Sequence, residues 1–332
     1  MQMESKPSYV KRLKKIIIGD ARSPLDKSIF HKLSLIAFFA WIGIGADGLS
    51  SSAYGPEEAF RALHGHIYLG VFVALGSAIT IFVISASYSQ IIELFPSGGG
   101  GYLVASKLLS PAVGMFSGCA LLIDYVLTIA ISVASGADAI FSFFPPQWSS
   151  YKVVFAITGV ILLLILNLRG AKESVIPLVP IFLLFVVTHA FGILYGLITH
   201  LMDFPEVTKA VVSDVHRSQA EIGFAGMFFL LLRAYSMGAG TYTGIEAVSN
   251  GIPLLREPKV QTAKRTMTYM AVSLAFTVLG LMFCYVLYRV EHVPPARHLT
   301  PFFLSGLHQA GTGALLPSLC SSLFFLKRQF FS

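Results

Sequence analysis

The chain has 332 residues, of which 55% are hydrophobic and only 12% are charged, and its formal net charge is +7. A soluble domain carries about 25% charged residues, so the composition excludes an ordinary soluble protein and indicates an all-α membrane protein. The basic residues do not form a separate basic domain. This argues against nucleic-acid binding and is typical of membrane proteins, in which lysine and arginine set the orientation.

Seven long apolar stretches predict seven membrane spans, because a helix needs about 20 apolar residues to cross a bilayer. In chain order they cover approximately residues 35–61, 67–95, 111–143, 151–168, 174–201, 222–252 and 266–290. They form a predicted transmembrane domain over residues 34–292. It lies between an N-terminal tail, 1–33, and an atypical C-terminal tail, 293–332, which is a poor eighth span at best.

The connections between the spans predict orientation and two local features. Lysine and arginine are concentrated in the N-terminal tail and in the loops on the same side of the membrane. The N-terminus of this multi-pass protein is therefore predicted to lie in the cytoplasm, with the spans in the cell membrane. The polar stretch at 202–221 is expected to be a short lid or a solvated linker. The glycine-rich segment 96–102 lacks the Gly-Lys-Ser or Gly-Lys-Thr of a phosphate-binding loop and predicts a re-entrant turn.

Two glycine-rich, oxygen-rich interruptions, in the first and sixth spans, are the most informative feature of the sequence. The first covers residues 43–58 and the second covers residues 236–246. A broken helix frees backbone carbonyls and amides, which lipid tolerates only where they face protein or a water-filled cavity. One such helix in each half predicts a substrate site near the membrane midplane of a transporter with inverted repeats.

Charged side chains at bilayer depth are costly, so each one within a span is a candidate functional residue. Asp47 lies in the first interruption, close in sequence to Tyr54, and Glu246 ends the second. Glu246 follows Thr243 by three residues, which predicts one shared helix face. Burial disfavours the charged form of a carboxyl, and Glu246 is therefore our predicted proton carrier.

The third span contributes a second polar group. Thr128 and Ser132 follow Asp124 at intervals of four residues, so the three side chains are predicted to share one helix face, with Tyr125 beside it. Together with Asp47 and Glu246, Asp124 gives three carboxylates among hydroxyls and free carbonyls. These are the hard oxygen ligands that an alkali cation requires.

Structural roles remain open as alternatives for several of these residues. Asp47 could cap the helix that follows the first interruption, and Asp124 could pair with Arg233, which also lies within a span. Glu57 and Glu58 follow Pro56, where acidic residues favour the N-terminal end of the helix dipole. The three cysteines show no metal-binding spacing, and no cofactor is expected.

The segment GADGLSSSAYGPEEAF at 45–60 resembles the bacterial KimA-type potassium importers, which belong with the KUP potassium transporters in the amino acid–polyamine–organocation (APC) superfamily. The likeness covers roughly residues 30–295. It continues through residues 97–109, through Asp124 and Tyr125 with Thr128 and Ser132, and through residues 243–251.

The resemblance implies a LeuT-like fold of two inverted five-helix repeats, with spans 1 and 6 broken, and proton-coupled potassium uptake. The implied partners are potassium and protons in a lipid bilayer. Potassium would bind at Asp47, Asp124 and Tyr125 with the broken-helix carbonyls, and Glu246 would couple the proton. The residues implied to line the ion path are Asp47, Tyr54, Asp124, Tyr125, Thr128, Ser132, Thr243 and Glu246.

Proteins of the resembled type continue with further spans and a cytosolic C-terminal domain that senses a cyclic dinucleotide and helps to form a homodimer. This chain stops short of those parts. We therefore expect a C-terminally truncated product with an incomplete second repeat and without nucleotide control.

Two other functions are open. An amino acid permease on the same fold would bind the substrate carboxylate at half-helix N-termini, but this leaves the acids at 124 and 246 unexplained. A non-transporting membrane receptor is more remote. An enzyme is not expected, because the sequence has neither an HExxH nor a GxSxG motif.

Overall fold

The computed structural model describes residues 34–141, 143–169 and 171–290, and the regular secondary structure of this part of the chain is helical apart from one isolated β-bridge. The predicted tails, 1–33 and 293–332, lie outside the described residues. The helices are α1 (Ala37–Gly43), α2 (Ala46–Ala62), α3 (Gly70–Leu94), α4 (Gly100–Leu108), α5 (Pro111–Phe141), α6 (Lys152–Arg169), α7 (Ala171–Thr199), α8 (Phe204–Met237), α9 (Ala247–Asn250) and α10 (Lys259–Leu287).

Six stretches of the described chain are long and apolar enough to cross a membrane. They correspond to the second to seventh predicted spans and confirm an all-α, multi-pass membrane protein. The first predicted span, 35–61, consists of two successive shorter helices, α1 and α2. The six stretches are Ile67–Leu94, Pro111–Ala134, Gln147–Leu168, Val175–Thr199, Leu201–Asn250 and Lys259–Leu287.

The central helix of the bundle is α10, which packs against α1, α2, α3 and α7. Ile42, Leu49, Ile81, Phe182 and Leu274 are fully buried in the main apolar cluster between these helices. In contrast, α5 and α6 pack on each other at the periphery and expose most of their apolar side chains. Such surfaces suit contact with lipid, where apolar side chains need no burial against protein.

The first break is narrower than the sequence predicted. Only Ile44 and Gly45 separate α1 from α2, and both have helical backbone angles. The hydroxyls of Ser50 and Ser51 donate to the Asp47 carbonyl at 2.8 and 3.0 Å. The polar side chains of this segment are therefore partly satisfied by their own helix, and α2 continues through Pro56 to Ala62.

The second break interrupts the backbone as predicted. A 3-10 turn, Gly238–Tyr242, follows α8, and Thr243 is extended with ψ 148°. Gly244 then has φ +83°, a left-handed conformation that glycine adopts without the cost of a Cβ atom. The short helix α9 begins only at Ala247, so the backbone between Gly238 and Glu246 lacks a continuous helical ladder.

The polar stretch at 202–221, expected to be a short lid or a solvated linker, is helical. It forms a 3-10 turn and the first part of α8, which bends at Gly223. Asp214 secures this helix: its Oδ1 lies 2.9 Å from His66 Nδ1 and 2.8 Å from an Arg217 guanidinium nitrogen. Its Oδ2 accepts a hydrogen bond from the Tyr68 amide at 3.2 Å.

A parallel β-bridge joins the segments that flank the two broken regions. The Leu35 amide donates to the Leu254 carbonyl at 2.9 Å, and the Arg256 amide donates to the Leu35 carbonyl at 2.9 Å. The chain before α1 is thus fastened to the chain after α9.

Candidate functional site

The two breaks lie against each other, and glycine makes the contact possible. A Cβ atom added to Gly244 would lie 2.7 Å from the amide nitrogen of Gly48 and 2.8 Å from Asp47 Oδ2. Such distances are too short for any Cβ contact. The start of α2 and the second break therefore form one compact unit, as the transporter hypothesis requires.

A chain of hydroxyl groups connects the same two segments. The Tyr54 hydroxyl donates to Ser51 Oγ at 3.1 Å, and Ser51 Oγ lies 2.9 Å from Thr243 Oγ1. The Thr243 hydroxyl in turn donates to the carbonyl of Gly240 at 2.7 Å. Two predicted site residues, Tyr54 and Thr243, are thus linked through Ser51, which the list of site residues did not include.

The three predicted carboxylates lie close enough to interact electrostatically. Asp47 interacts with Asp124, and Glu246 interacts with both. Asp47 lies in the first turn of α2, whose N-cap is Gly45, and no side chain caps the helix. The capping alternative for Asp47 is therefore wrong, although the positive end of the helix dipole still favours a carboxylate there.

The predicted face of the third span is turned inward. Within the continuous helix α5, Asp124 and Thr128 are half-buried and Ser132 is only 8% exposed. The part that Thr128 and Ser132 play in a site stays a prediction. Among the described residues Asp124 has no ion pair with Arg233, which is exposed on α8, and this structural alternative is wrong.

Tyr125 contacts a residue that the sequence analysis missed. Its hydroxyl oxygen accepts a hydrogen bond from Asn250 Nδ2 at 2.9 Å. Tyr88 of α3 lies within electrostatic range of Tyr125 and Glu246. Asn250 could have been predicted from the sequence. It is a polar residue within a span and lies four positions after Glu246, which is about one helical turn.

A second cluster of hydroxyls was also missed. Tyr242, in the second break, donates to Ser77 Oγ on α3 at 2.9 Å, and Tyr235 Oη lies 2.7 Å from Thr80 Oγ1. The two tyrosine rings are 5.7 Å apart. These contacts join the second break to α3, and nothing in the spacing of Ser77 and Thr80 distinguishes them from ordinary polar residues in a span.

Two expectations about individual residues need correction. Thr243 and Glu246 do not share a helix face, because extended Thr243 and left-handed Gly244 interrupt the helix between them. Glu57 and Glu58 are not at a helix start: they form ion pairs with Arg61 at 2.9 and 3.2 Å on the exposed side of α2.

Within the described part of the chain, no three His, Cys, Asp or Glu side chains are close enough to hold a metal ion as a compact cluster. Potassium is held differently, largely by carbonyl and hydroxyl oxygens that replace its hydration shell. The oxygens available here come from the Tyr125 and Thr243 hydroxyls and from Asp47, Asp124 and Glu246.

Comparison with known proteins agrees with this architecture. The profile of the family described as "Amino acid permease" matches residues 33–290, which include both breaks and every predicted site residue. The chain belongs to this family. The match confirms the assignment to the APC superfamily that the sequence motifs implied.

Two relatives are informative. The chain is 35% identical over 274 residues to the potassium transporter KimA of Bacillus subtilis (strain 168), which confirms the resemblance to KimA-type proteins. This alignment covers 81% of the chain but 44% of KimA, so the chain spans less than half the length of that relative. The chain is also 30% identical over 109 residues to the low-affinity putrescine importer PlaP of Escherichia coli (strain K12). That alignment covers 33% of the chain and 23% of PlaP.

Proposed function

We propose that the protein imports potassium together with protons through the cell membrane. The observation that carries this proposal is the convergence of Asp47, Asp124 and Glu246 on two helix breaks that touch each other inside a membrane protein. The KimA relative, a potassium transporter, supports potassium as the substrate, and both named relatives are transporters rather than enzymes.

The chemistry of the site favours a cation. Asp47, Asp124 and Glu246 repel one another when all three are charged, and this repulsion is relieved when positive charge is bound between them. Tyr125 and Thr243 add neutral oxygens that suit the large, weakly hydrated potassium ion. The carboxylates attract the cation, and the hydroxyl and carbonyl oxygens replace the water molecules that the cation loses when it binds.

Coupling follows if both ions occupy the site at the same time. Glu246 takes up a proton while Asp47 and Asp124 hold the cation, so the doubly loaded site leaves less uncompensated negative charge in the membrane than a site holding either ion alone. Binding of protons and potassium is thereby linked, and Glu246 is the proposed proton carrier. No cofactor takes part in this scheme, in which potassium and protons are the transported ions.

The proposed orientation places the N-terminus in the cytoplasm. The basic residues of the N-terminal tail and the connections, taken together, agree with this orientation, because most of them lie on the side of the tail. The helix 204–222 and its Asp214 cluster would then face the exterior.

Uptake of radioactive rubidium tests the proposal in cells that lack their own potassium transporters, with membrane insertion of the chain verified. We expect uptake that rises at acidic external pH and that unlabelled potassium blocks. Asp124→Asn and Glu246→Gln should each abolish it, whereas Glu206→Gln, in an exposed ion pair with Arg289, should not. Full uptake by both site variants would refute the assignment.

An amino acid or polyamine permease is the second candidate, and the family match and the short PlaP alignment favour it. In that case the amino group of the substrate would meet Asp47, and the acids at 124 and 246 would need another role. Rubidium uptake that amino acids or putrescine inhibit, but potassium does not, would support this candidate.

A further inference from the structure

The glycine-rich loop before α4 has a partner across the molecule. Gly98, Gly99 and Gly100 have φ values of +89°, +99° and +48°. A Cβ atom on Gly100 would lie 2.2 Å from Asn250 Oδ1, at the end of α9. The absence of a side chain at Gly100 is therefore what makes room for the Asn250 amide, a role unrelated to phosphate binding.

The Asn250 amide is satisfied on one side only. Its Nδ2 donates to the Tyr125 hydroxyl, but its Oδ1 is buried and accepts no hydrogen bond from any residue that the structure describes. A buried acceptor without a donor is rare because it forfeits its interaction with water. This side-chain oxygen is therefore suited to binding a cation or a ligand that donates a hydrogen bond.

Other oxygens surround this position. Glu246 lies one helical turn before Asn250, and the backbone N–H of Asn250 donates a hydrogen bond to the backbone carbonyl of Glu246 at 3.0 Å. Tyr88 lies within electrostatic range of Glu246 and Tyr125, and its hydroxyl would be 3.5 Å from a Cβ atom on Gly101. The Asn250 amide oxygen and the Tyr88 hydroxyl thus border the glycine loop, and the Tyr125 hydroxyl lies beside the same Asn250 side chain.

We propose that Asn250 Oδ1, with the hydroxyl oxygens of Tyr88 and Tyr125, forms a second alkali-cation subsite beside Glu246, on the side of the glycine loop. This subsite rests on the proposed function and extends it. The first site, at Asp47 and Asp124, attracts the ion with full negative charge. Neutral oxygens hold an ion more loosely than carboxylates do. Movement of an ion along a transport path requires binding that is strong enough for the ion to enter and weak enough for it to leave.

Equilibrium binding of radioactive rubidium to the purified chain tests the subsite without relying on transport. Asn250→Leu removes the oxygen, and we expect the half-saturating rubidium concentration to rise about tenfold, the effect of losing one ligand interaction. Asn250→Asp keeps an oxygen and adds charge, so its half-saturating concentration should not exceed that of the unaltered chain. Asn167→Leu is the matched control, because Asn167 is exposed and only bonds the Leu163 carbonyl of its own helix.

A glycine pair gives a second, independent test, which also serves if the leucine variant fails to insert. Gly100→Ala should displace Asn250 Oδ1 and weaken rubidium binding to a similar extent. In Gly101→Ala the added Cβ atom makes only an ordinary van der Waals contact with the Tyr88 hydroxyl, so this variant should bind rubidium like the unaltered chain.

The outcomes separate this proposal from the proposed function. Unaltered binding by Asn250→Leu, or equal losses in the leucine and aspartate variants, would overturn the subsite while leaving the proposed function in place. An unaltered chain that neither binds nor takes up rubidium would overturn both.

Discussion

Gly55 of α2 lies so close to Thr241 of the second break that a Cβ atom on the glycine would be 2.0 Å from Thr241 Oγ1 and 3.1 Å from the Gly238 carbonyl. The two segments pack backbone to backbone at this point. Close approach of backbones through small residues is how membrane helices gain packing energy when lipid offers no hydrophobic driving force. The spacing of the two breaks thus depends on a position that carries no functional group.

Gly55→Ala should therefore separate the two breaks. We expect a loss of about 1–3 kcal/mol in the free energy of unfolding, the usual cost of overpacking, and loss of rubidium uptake. Denaturant unfolding in detergent measures the first effect. Gly159→Ala is the control, since nothing lies within 4 Å of its added Cβ atom and alanine favours a helix. A Gly55→Ala protein as stable and active as the control would contradict this account of the contact.

Thr243→Val tests the hydroxyl chain between the breaks. The substitution keeps the shape but removes the bonds to Ser51 and to the Gly240 carbonyl. We expect the half-saturating rubidium concentration for uptake to rise about tenfold, because a site oxygen and its orientation are lost. Thr158→Val is matched, since Thr158 is exposed on α6 and only bonds the Val154 carbonyl. Identical uptake curves for the two variants would exclude Thr243 from the ion path.

Asp214→Asn tests the cluster that fixes the first part of α8. The Asp214 side chain is 3% exposed and contacts His66 and Arg217. Asp214 and His66 are buried, but the Arg217 side chain is 53% exposed, so water screens part of the interaction. We expect the free energy of unfolding to fall by about 1–3 kcal/mol, the cost of leaving a buried polar group without its partner. In Glu206→Gln, which breaks an exposed pair with Arg289, the change should stay below about 1 kcal/mol. Equal effects in the two variants would show that burial of Asp214 is unimportant.

Tyr242→Phe tests the link between the second break and α3. It leaves Ser77 Oγ, in a residue only 5% exposed, without its tyrosine donor. We expect the free energy of unfolding to fall by about 1 kcal/mol, the typical contribution of one hydrogen bond. Tyr151→Phe, at an exposed position, should have no measurable effect on the unfolding midpoint. A Tyr242→Phe protein with an unchanged midpoint would show that this bond is dispensable.

The sequence predicted the spans well because their length and hydropathy are local properties. It also predicted the second break, since the closely spaced Gly238, Gly240 and Gly244 weaken a helix there. It overestimated the first break. Glycine permits a departure from the helix but does not require one, and the Ser50 and Ser51 hydroxyls are satisfied by the carbonyl of Asp47.

The contacts of the candidate site were less predictable. Ser51 and Thr243 are 192 positions apart, and Asn250 and Tyr125 are 125 apart, so no periodicity reveals these pairs. The helix 204–222 was missed for another reason. Its polar sequence resembles that of a linker, and its position is fixed by contacts of Asp214 with His66 and Tyr68, which come from a distant turn of the chain.

The bridge between Leu35 and the segment Leu254–Arg256 has a consequence for movement. Two backbone hydrogen bonds tie the entrance to α1 to the exit from α9, so neither segment can swing away alone without breaking both. Transport that exposes a site to each side of the membrane in turn requires its gating elements to change position in step. Here a backbone link joins the two broken regions, so a tilt of one of them must either break these hydrogen bonds or displace the other.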